Sequence, residues 1–412
     1  MGIRSCGESL TKKPASTCSA NASLMNKVDK IYLDYAATTP VSEDVMKEMQ
    51  PYFSDIFGNP SALHRMGQEA QSALDNARHS VADIIGADWR DIIFTASATE
   101  SLNLALRGAV KEAKHAIEIP HIVTTAFEHN AVLKTCRDLE EEGVEVTYLP
   151  VDGNGLVSLE DISQALKENT ILVSVMYVNN EIGTIQPIRE ISDIIKAHNA
   201  QYGTKRVIFH TDAVQAANYL NINIHDLGAD MMTLSGHKIY GPKGVAILFK
   251  SNDVSIAPTT TGGGQERGYR SGTENVPALV GFAKALKDAQ DLRQSESERL
   301  IALRDNFIQK VLSEGKDISL NGSAQKRVAN NANFCFKNIP SEVLIPALDA
   351  KGIYVSSGSA CTARVPEPSH VIQAIGKGDC AINSIRCTFG RSTTEEELKK
   401  SAEAIIEISN QA

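Results

Sequence analysis

Between residues 90 and 250, short apolar runs alternate with longer stretches of helical pattern. The runs are "DIIFT" (91–95), "HIVTT" (121–125), "VEVTYL" (144–149), "TILVSVM" (170–176), "RVIFH" (206–210), "ADMMTLS" (229–235) and "GVAILF" (244–249). Helix-like stretches at 99–113, 130–142, 159–167 and 188–199 lie between several of them. Strands that are apolar along their whole length are buried on both faces, and intervening helices supply the cover. The expected fold class is α/β: a large unit with a mostly parallel seven-stranded sheet covered by helices, plus a smaller α+β unit. Residues 285–313 read as one long charged helix leading into that smaller unit. Ligands of such sheets bind outside the carboxyl ends of the strands, so the polar residues that follow the strands are the candidates for chemistry.

Charge and composition remove several classes of function. A net charge of -9 argues against nucleic acid as a direct partner. No apolar run approaches the ~18 residues that a membrane helix needs, so no membrane association is expected. Seven cysteines (Cys6, Cys18, Cys136, Cys335, Cys361, Cys380 and Cys387) form no CxxC pair. This spacing argues against a resident zinc site and for a reducing, cytoplasmic setting with mostly buried thiols and one reactive one. Residues 1–30 are rich in Ser and carry Arg4, Lys12, Lys13, Lys27 and Lys30 against Glu8 and Asp29. They read as a disordered extension. A targeting role for residues 1–24, and a start at Met25, are the minor readings.

Four loops that follow strands are dense in polar residues. "TASATES" (95–101) opens a helix with small residues, which lets backbone N–H groups approach an anion; a plain Ser/Thr N-cap is the bland alternative. "FEHNAV" (127–132) offers His129 as an imidazole plane. "YVNNEIGTIQPI" (177–188) places Asn179, Asn180 and Glu181 after the most apolar strand, where turn-forming asparagines are also expected. "FHTDAVQA" (209–216) puts Asp212 and Gln215 at a strand end, and "LSGHKIYGPKG" (234–244) adds Lys238. Pyridoxal 5'-phosphate (PLP) would use all of these. It needs a lysine for a Schiff base, an acid on the pyridine nitrogen, a helix N-terminus for the phosphate, and a flat group over the ring.

With those residues in view, the chain resembles a cysteine desulfurase of the NifS/IscS kind, in the class V aminotransferase group of fold-type I PLP enzymes. The resemblance runs from "IYLDYAATTP" (31–40) to "SIRCTFGRSTTEEEL" (384–398). It is carried by "FGNPSALH" (57–64), "ATES" (98–101), "EHNAV" (128–132), "NNEIGT" (179–184), "HTDAVQ" (210–215), "SGHKIYGPKG" (235–244), "GGGQERGYRSGTEN" (262–275) and "SSGSACT" (356–362). It implies that Asp212 pairs with the pyridine nitrogen, Gln215 bonds the ring hydroxyl, and His129 stacks on the ring and handles protons. Ala98, Thr99, Ser235 and His237 would hold the phosphate, and Thr273 would reach the phosphate site of the other subunit in a homodimer. Asn180 and Arg386 would hold the substrate carboxylate, a task that suits a guanidinium fork; a structural salt bridge is the bland reading of Arg386. The implied division is a large PLP-binding domain at 44–293 and a small domain from 31–43 and 294–412.

Cys361 separates this reading from its rivals. It sits in "VSSGSACTARVPEPSHV" (355–371), whose Gly, Ser and Pro content reads as a mobile loop. The resemblance implies that its thiolate takes sulfur from L-cysteine, leaves L-alanine, and passes a persulfide to a scaffold or sulfur-acceptor protein for iron–sulfur cluster assembly or for thiolation of tRNA and other acceptors. No metal is expected beyond a transient shared cluster ligated by Cys361. Cys387 and Cys136 read as buried structural thiols, Cys335 as a core strand position, and Cys6, Cys18 and Cys380 as incidental. The alternatives are a selenocysteine lyase or another class V enzyme, and a non-catalytic subunit that only binds partners. An aminotransferase needs no cysteine in that loop, so Cys361 argues against it, and Lys238, Asp212, His129 and Cys361 together argue against a non-catalytic subunit.

Overall fold

The computed structural model describes residues 2, 30–202, 207–357 and 368–411. Cys6, Cys18 and Cys361 lie outside the described residues, as do most of the N-terminal extension and the middle of the cysteine-bearing loop. Among the described residues twelve strands run in chain order: β1 (Ile31–Tyr32), β2 (Ile92–Thr95), β3 (His121–Thr125), β4 (Glu145–Leu149), β5 (Thr170–Ser174), β6 (Ile208–Asp212), β7 (Met231–Ser235), β8 (Ala246–Lys250), β9 (Ile318–Leu320), β10 (Asn331–Phe336), β11 (Ile353–Tyr354) and β12 (Ser384–Thr388). The seven apolar runs become the seven strands of one sheet, in the order β2-β8-β7-β6-β5-β3-β4. Pairing is parallel from β4 through β7, whereas β8 runs antiparallel to both β7 and β2. Strands β2, β3, β5, β7 and β8 are buried at every position, because helices cover both faces.

The helices begin where the chain supplies caps. Ser97 accepts from the Glu100 N–H at the head of the helix Ala98–Ala113, and His129 accepts from the Ala131 N–H at the head of Asn130–Glu141. The long helix covers Val276–Glu314, nine residues earlier than the charge pattern suggests. Asn275 caps it, Pro277 occupies its first turn, and its first turns are apolar because they are buried against the helix Arg65–Ile85. The charge pattern marked only the exposed part. At ~1.5 Å per residue it extends about 58 Å and passes from the large sheet to the smaller one.

That smaller sheet is antiparallel, in the order β12-β10-β9, while β1 pairs in parallel with β11. Two large buried clusters correspond to the two parts. One gathers residues from Val45 to Ala289 with Val328, and the other joins Ile31 and Leu33 to residues 300–405. Cys136 and Cys387 are free and buried as expected. Cys335 does lie in the core strand β10, but it is not a free thiol and Cys380 is not incidental: the two form a disulfide with Cα atoms 5.4 Å apart. The sequence separation of 45 residues hides this pairing, which depends on the turn at Gly378–Cys380 packing beside β10.

Candidate active site

The carboxyl ends of β2, β3, β5, β6 and β7 converge on one cavity of about 540 Å³. Ala98, Thr99, His129, Asn180, Asp212, Gln215, Ser235, His237, Lys238 and Arg386 all line it. Of the two remaining candidates, Cys361 lies outside the described residues, and Thr273 is exposed and does not line the cavity of its own chain.

Lys238 ends a 3-10 turn, Gly236–Lys238, placed between the antiparallel strands β7 and β8. Its Nζ donates to the carbonyls of Ala36 and Ala37 at 2.6 and 2.7 Å. The amine is therefore held by backbone oxygens from the segment that follows β1 and faces the cavity instead of solvent. Asp212 ends β6 and is fully buried; burial pushes its carboxyl up to about 6, against the opposing effects of the Val214 N–H and the Lys238 charge. Its Oδ1 accepts from that N–H at 3.0 Å, so the bland turn role and the ligand role share one side chain.

Two histidines flank the lysine. Burial first, then the neighbouring charges, push both His129 and His237 down to about 4, so both rings are neutral near pH 7. His129 Nδ1 accepts from the Ala131 N–H at 3.1 Å, which places the ring proton on Nε2. The first turn of Ala98–Ala113 presents the free N–H groups that favour an anion, and Ser97 satisfies only one of them.

Arg386, on β12, brings the smaller sheet to the cavity. It is 2% exposed. Nη1 donates to the Asn180 carbonyl and Nη2 to Asp34 Oδ1, both at 2.8 Å. Its Nε and Asn180 Oδ1 are buried with no hydrogen-bond partner among the described residues. Orphaned polar atoms in residues that line a cavity cost free energy unless a ligand completes them, and a carboxylate is the partner that suits Nε. The donor set therefore fits PLP with an amino acid beside it: an amine, a buried acid, a helix N-terminus, a neutral imidazole and a guanidinium on the far wall. Asp34 was missed at the sequence level, because its pairing with Arg386 spans 352 residues. Glu128 was quoted within "EHNAV" but given no role. It is fully buried, and Oε2 has no partner among the described residues.

The match to the Aminotransferase class-V family covers residues 31–400. A curated relative, the cysteine desulfurase IscS of Dictyoglomus turgidum, is 43% identical over 380 residues, which is 92% of this chain and 94% of that protein. A solved structure titled "NIFS-LIKE PROTEIN" superposes with a TM-score of 0.86 at 35% identity, covering 93% of this chain and 100% of the other. Another, "SspA in complex with cysteine", has a TM-score of 0.74 at 35% identity, covering 87% and 98%. On the extent of these matches and the fold they share, the chain belongs to the class-V aminotransferase family.

Proposed function

We propose that this protein is a PLP-dependent cysteine desulfurase, converting L-cysteine to L-alanine and leaving a persulfide on Cys361. One observation carries the reading: Lys238, Asp212 and His129, from three strand ends of the large sheet, and Arg386, from β12 of the smaller one, line a single cavity. The 43% identity to a curated desulfurase over 92% of the chain supports it. PLP bound here supplies an electron sink that labilises bonds at the substrate's α-carbon.

The chain's own residues supply the rest. Lys238 would hold PLP through its amine, and the same amine would be placed to move a proton at the substrate's α-carbon. Asp212 is held for the pyridine nitrogen, where a cation would draw its carboxyl back below about 6. His129, neutral with the proton on Nε2, would cover the cofactor's ring and could donate that proton. Arg386 Nε and the Asn180 amide orient the substrate carboxylate. Ala98, Thr99, Ser235 and His237 would hold the phosphate, with Gln215 at the ring hydroxyl. The Cys361 thiolate attacks the substrate sulfur. An S–S bond forms as the Cβ–S bond breaks, the electron pair of that bond stays with the carbon skeleton, and protonation there gives alanine. The persulfide on Cys361 then passes to an acceptor protein.

The active unit is a homodimer in which Thr273 serves the other subunit's phosphate site. Its exposure supports this, as do Phe53, Phe57 and Leu63, which are 65, 64 and 92% exposed along one segment. The working division is a large domain at 44–293 and a small one from 31–43 and 294–412, supported by the two buried clusters. Among the described residues no helix is long and apolar enough to cross a membrane, and a cytoplasmic setting remains the proposal. The test is incubation of the PLP-loaded protein with L-cysteine. Alanine and acid-labile sulfur should appear in equal amounts in the presence of a reductant. Alanine without sulfur, or no product, would refute the reading.

A further inference from the structure

Glu181 follows Asn180 directly, yet its side chain points away from the cavity and reaches a different segment. It is 2% exposed, and its Oε2 accepts from Ser369 Oγ at 2.5 Å. Ser369 is itself 2% exposed and lies eight residues after Cys361 in the chain. The same Oγ accepts from the Ile372 N–H at 3.1 Å, so it caps the turn that follows. Next to it, His370 Nε2 donates to the Glu128 carbonyl at 2.9 Å, and the Ser369 N–H donates to the Ala381 carbonyl at 3.0 Å.

The turn around Asn180 does not need the Glu181 carboxyl. Asn179 Oδ1 accepts from the N–H groups of Glu181 and Ile182, and the Glu181 carbonyl accepts from Asn331 and Asn333. Gly183, at φ 71°, completes the turn beside Asn331, where a Cβ would lie 2.7 Å away. With the backbone fixed by these amides, the carboxyl makes one hydrogen bond among the described residues, that with Ser369, and the charges of His370 and Arg386 act on it from further off. Burying a carboxyl for a single side-chain contact is costly, which argues that the contact itself has a use.

We infer that Glu181 is a positioning residue: its bond to Ser369 ties the strand-end turn that carries Asn180 to the chain segment that carries Cys361. The tie anchors the chain, eight residues after Cys361, to the turn that carries Asn180. Arg386 adds the other side of the frame by donating to the Asn180 carbonyl. Burial raises the Glu181 carboxyl above its ordinary range, so a neutral amide of the same shape is a fair replacement. This inference rests on the desulfurase reading for its consequence, but not for its geometry.

The test compares Glu181→Ala, Glu181→Gln, Ser369→Ala and the Glu181→Ala/Ser369→Ala pair. Backbone hydrogen exchange at residues 369–374 is read first, in cofactor-free protein. In the PLP-loaded protein, L-alanine affinity is taken from the cofactor absorbance, and persulfide formation on residue 361 is timed in a single turnover with L-cysteine. Glu181→Ala and Ser369→Ala should each raise exchange roughly tenfold and slow persulfide formation roughly tenfold, as expected for losing one buried hydrogen bond. L-alanine affinity should stay within about threefold, since the Asn180 turn keeps its backbone bonds. Glu181→Gln should restore both rates, and the double variant should be no worse than the poorer single one, because both remove the same bond. Unchanged exchange in the alanine variants would overturn the inference. So would a loss of L-alanine affinity parallel to the loss of persulfide, or a Gln variant as impaired as the Ala variant. Wild-type protein that forms no persulfide would refute the desulfurase reading, and with it the consequence for transfer. That failure is told apart because exchange is read without cofactor or cysteine.

Discussion

Replacing Arg386 by Ala separates a substrate ligand from a structural ion pair. The guanidinium is 2% exposed and spends Nη1 on the Asn180 carbonyl and Nη2 on Asp34, while Nε is buried with no partner among the described residues. If a substrate carboxylate completes that fork, truncation removes a buried, hydrogen-bonded charge pair. Such losses run to about 2–5 kcal/mol, and at about 1.4 kcal/mol per decade they correspond to roughly 30- to several-thousand-fold weaker binding. The assay is titration of the PLP-loaded protein with L-alanine and L-cysteine, following cofactor absorbance. Ethylamine, which has no carboxylate, serves as the control ligand. Arg386→Ala should lose affinity for both amino acids and keep it for ethylamine, and Arg386→Lys should fall between, because a point charge cannot form the fork. Thermal stability will also fall, since Asp34 loses its partner. If stability falls while L-alanine affinity stays within about threefold, Arg386 is only the mate of Asp34 and the carboxylate assignment is wrong.

Three further outcomes follow from the same geometry. Borohydride reduction of the loaded wild type should fix the cofactor to the peptide containing Lys238, and Lys238→Ala should leave no peptide labelled. Glu128 is fully buried, and burial pushes its carboxyl from an ordinary 4.5 up to about 8. A raised carboxyl contributes stability that is complete below about pH 4.5 and is lost as pH rises toward 8, because the unfolded chain releases the proton first. Glu128→Gln cannot ionise, so its melting temperature should gain on the wild type steadily between pH 5 and pH 8; a gap that does not change with pH would contradict this. Reduction of Cys335–Cys380 should expose two titratable thiols and lower stability by up to about 4 kcal/mol on the chain-entropy view of a 45-residue separation. Thiol counts that do not change on reduction would remove the disulfide.

Strand by strand, the large sheet was readable because each run is apolar from end to end, and the runs at 91–95, 121–125 and 170–176 fall on β2, β3 and β5 to within two residues. The cavity residues were readable for a related reason. Parallel strands deliver their carboxyl ends to one edge, so Thr99, His129, Asn180, Asp212 and Lys238 had to meet there. What stayed hidden depends on contacts between distant segments. Asp34 is a plain acid in "LDY" until β12 brings Arg386 to it, and Ser369 reads as loop until Glu181 accepts from it. Cys335 and Cys380 carry no local signal at all. The helix Val276–Glu314 was cut short because its first turns lack the charges that marked the rest.

The central claim is that sulfur leaves L-cysteine on Cys361. The PLP-loaded wild type and Cys361→Ser are each given one equivalent of L-cysteine without reductant, and the peptide containing residue 361 is weighed. The wild-type peptide should be heavier by one sulfur atom, with an equal amount of alanine released. Cys361→Ser should still shift the cofactor absorbance but show no added sulfur and, once reductant is supplied, a sulfide yield lower by orders of magnitude, as for other lost nucleophiles. Near-normal sulfide release from Cys361→Ser would contradict the account and favour a lyase that needs no cysteine.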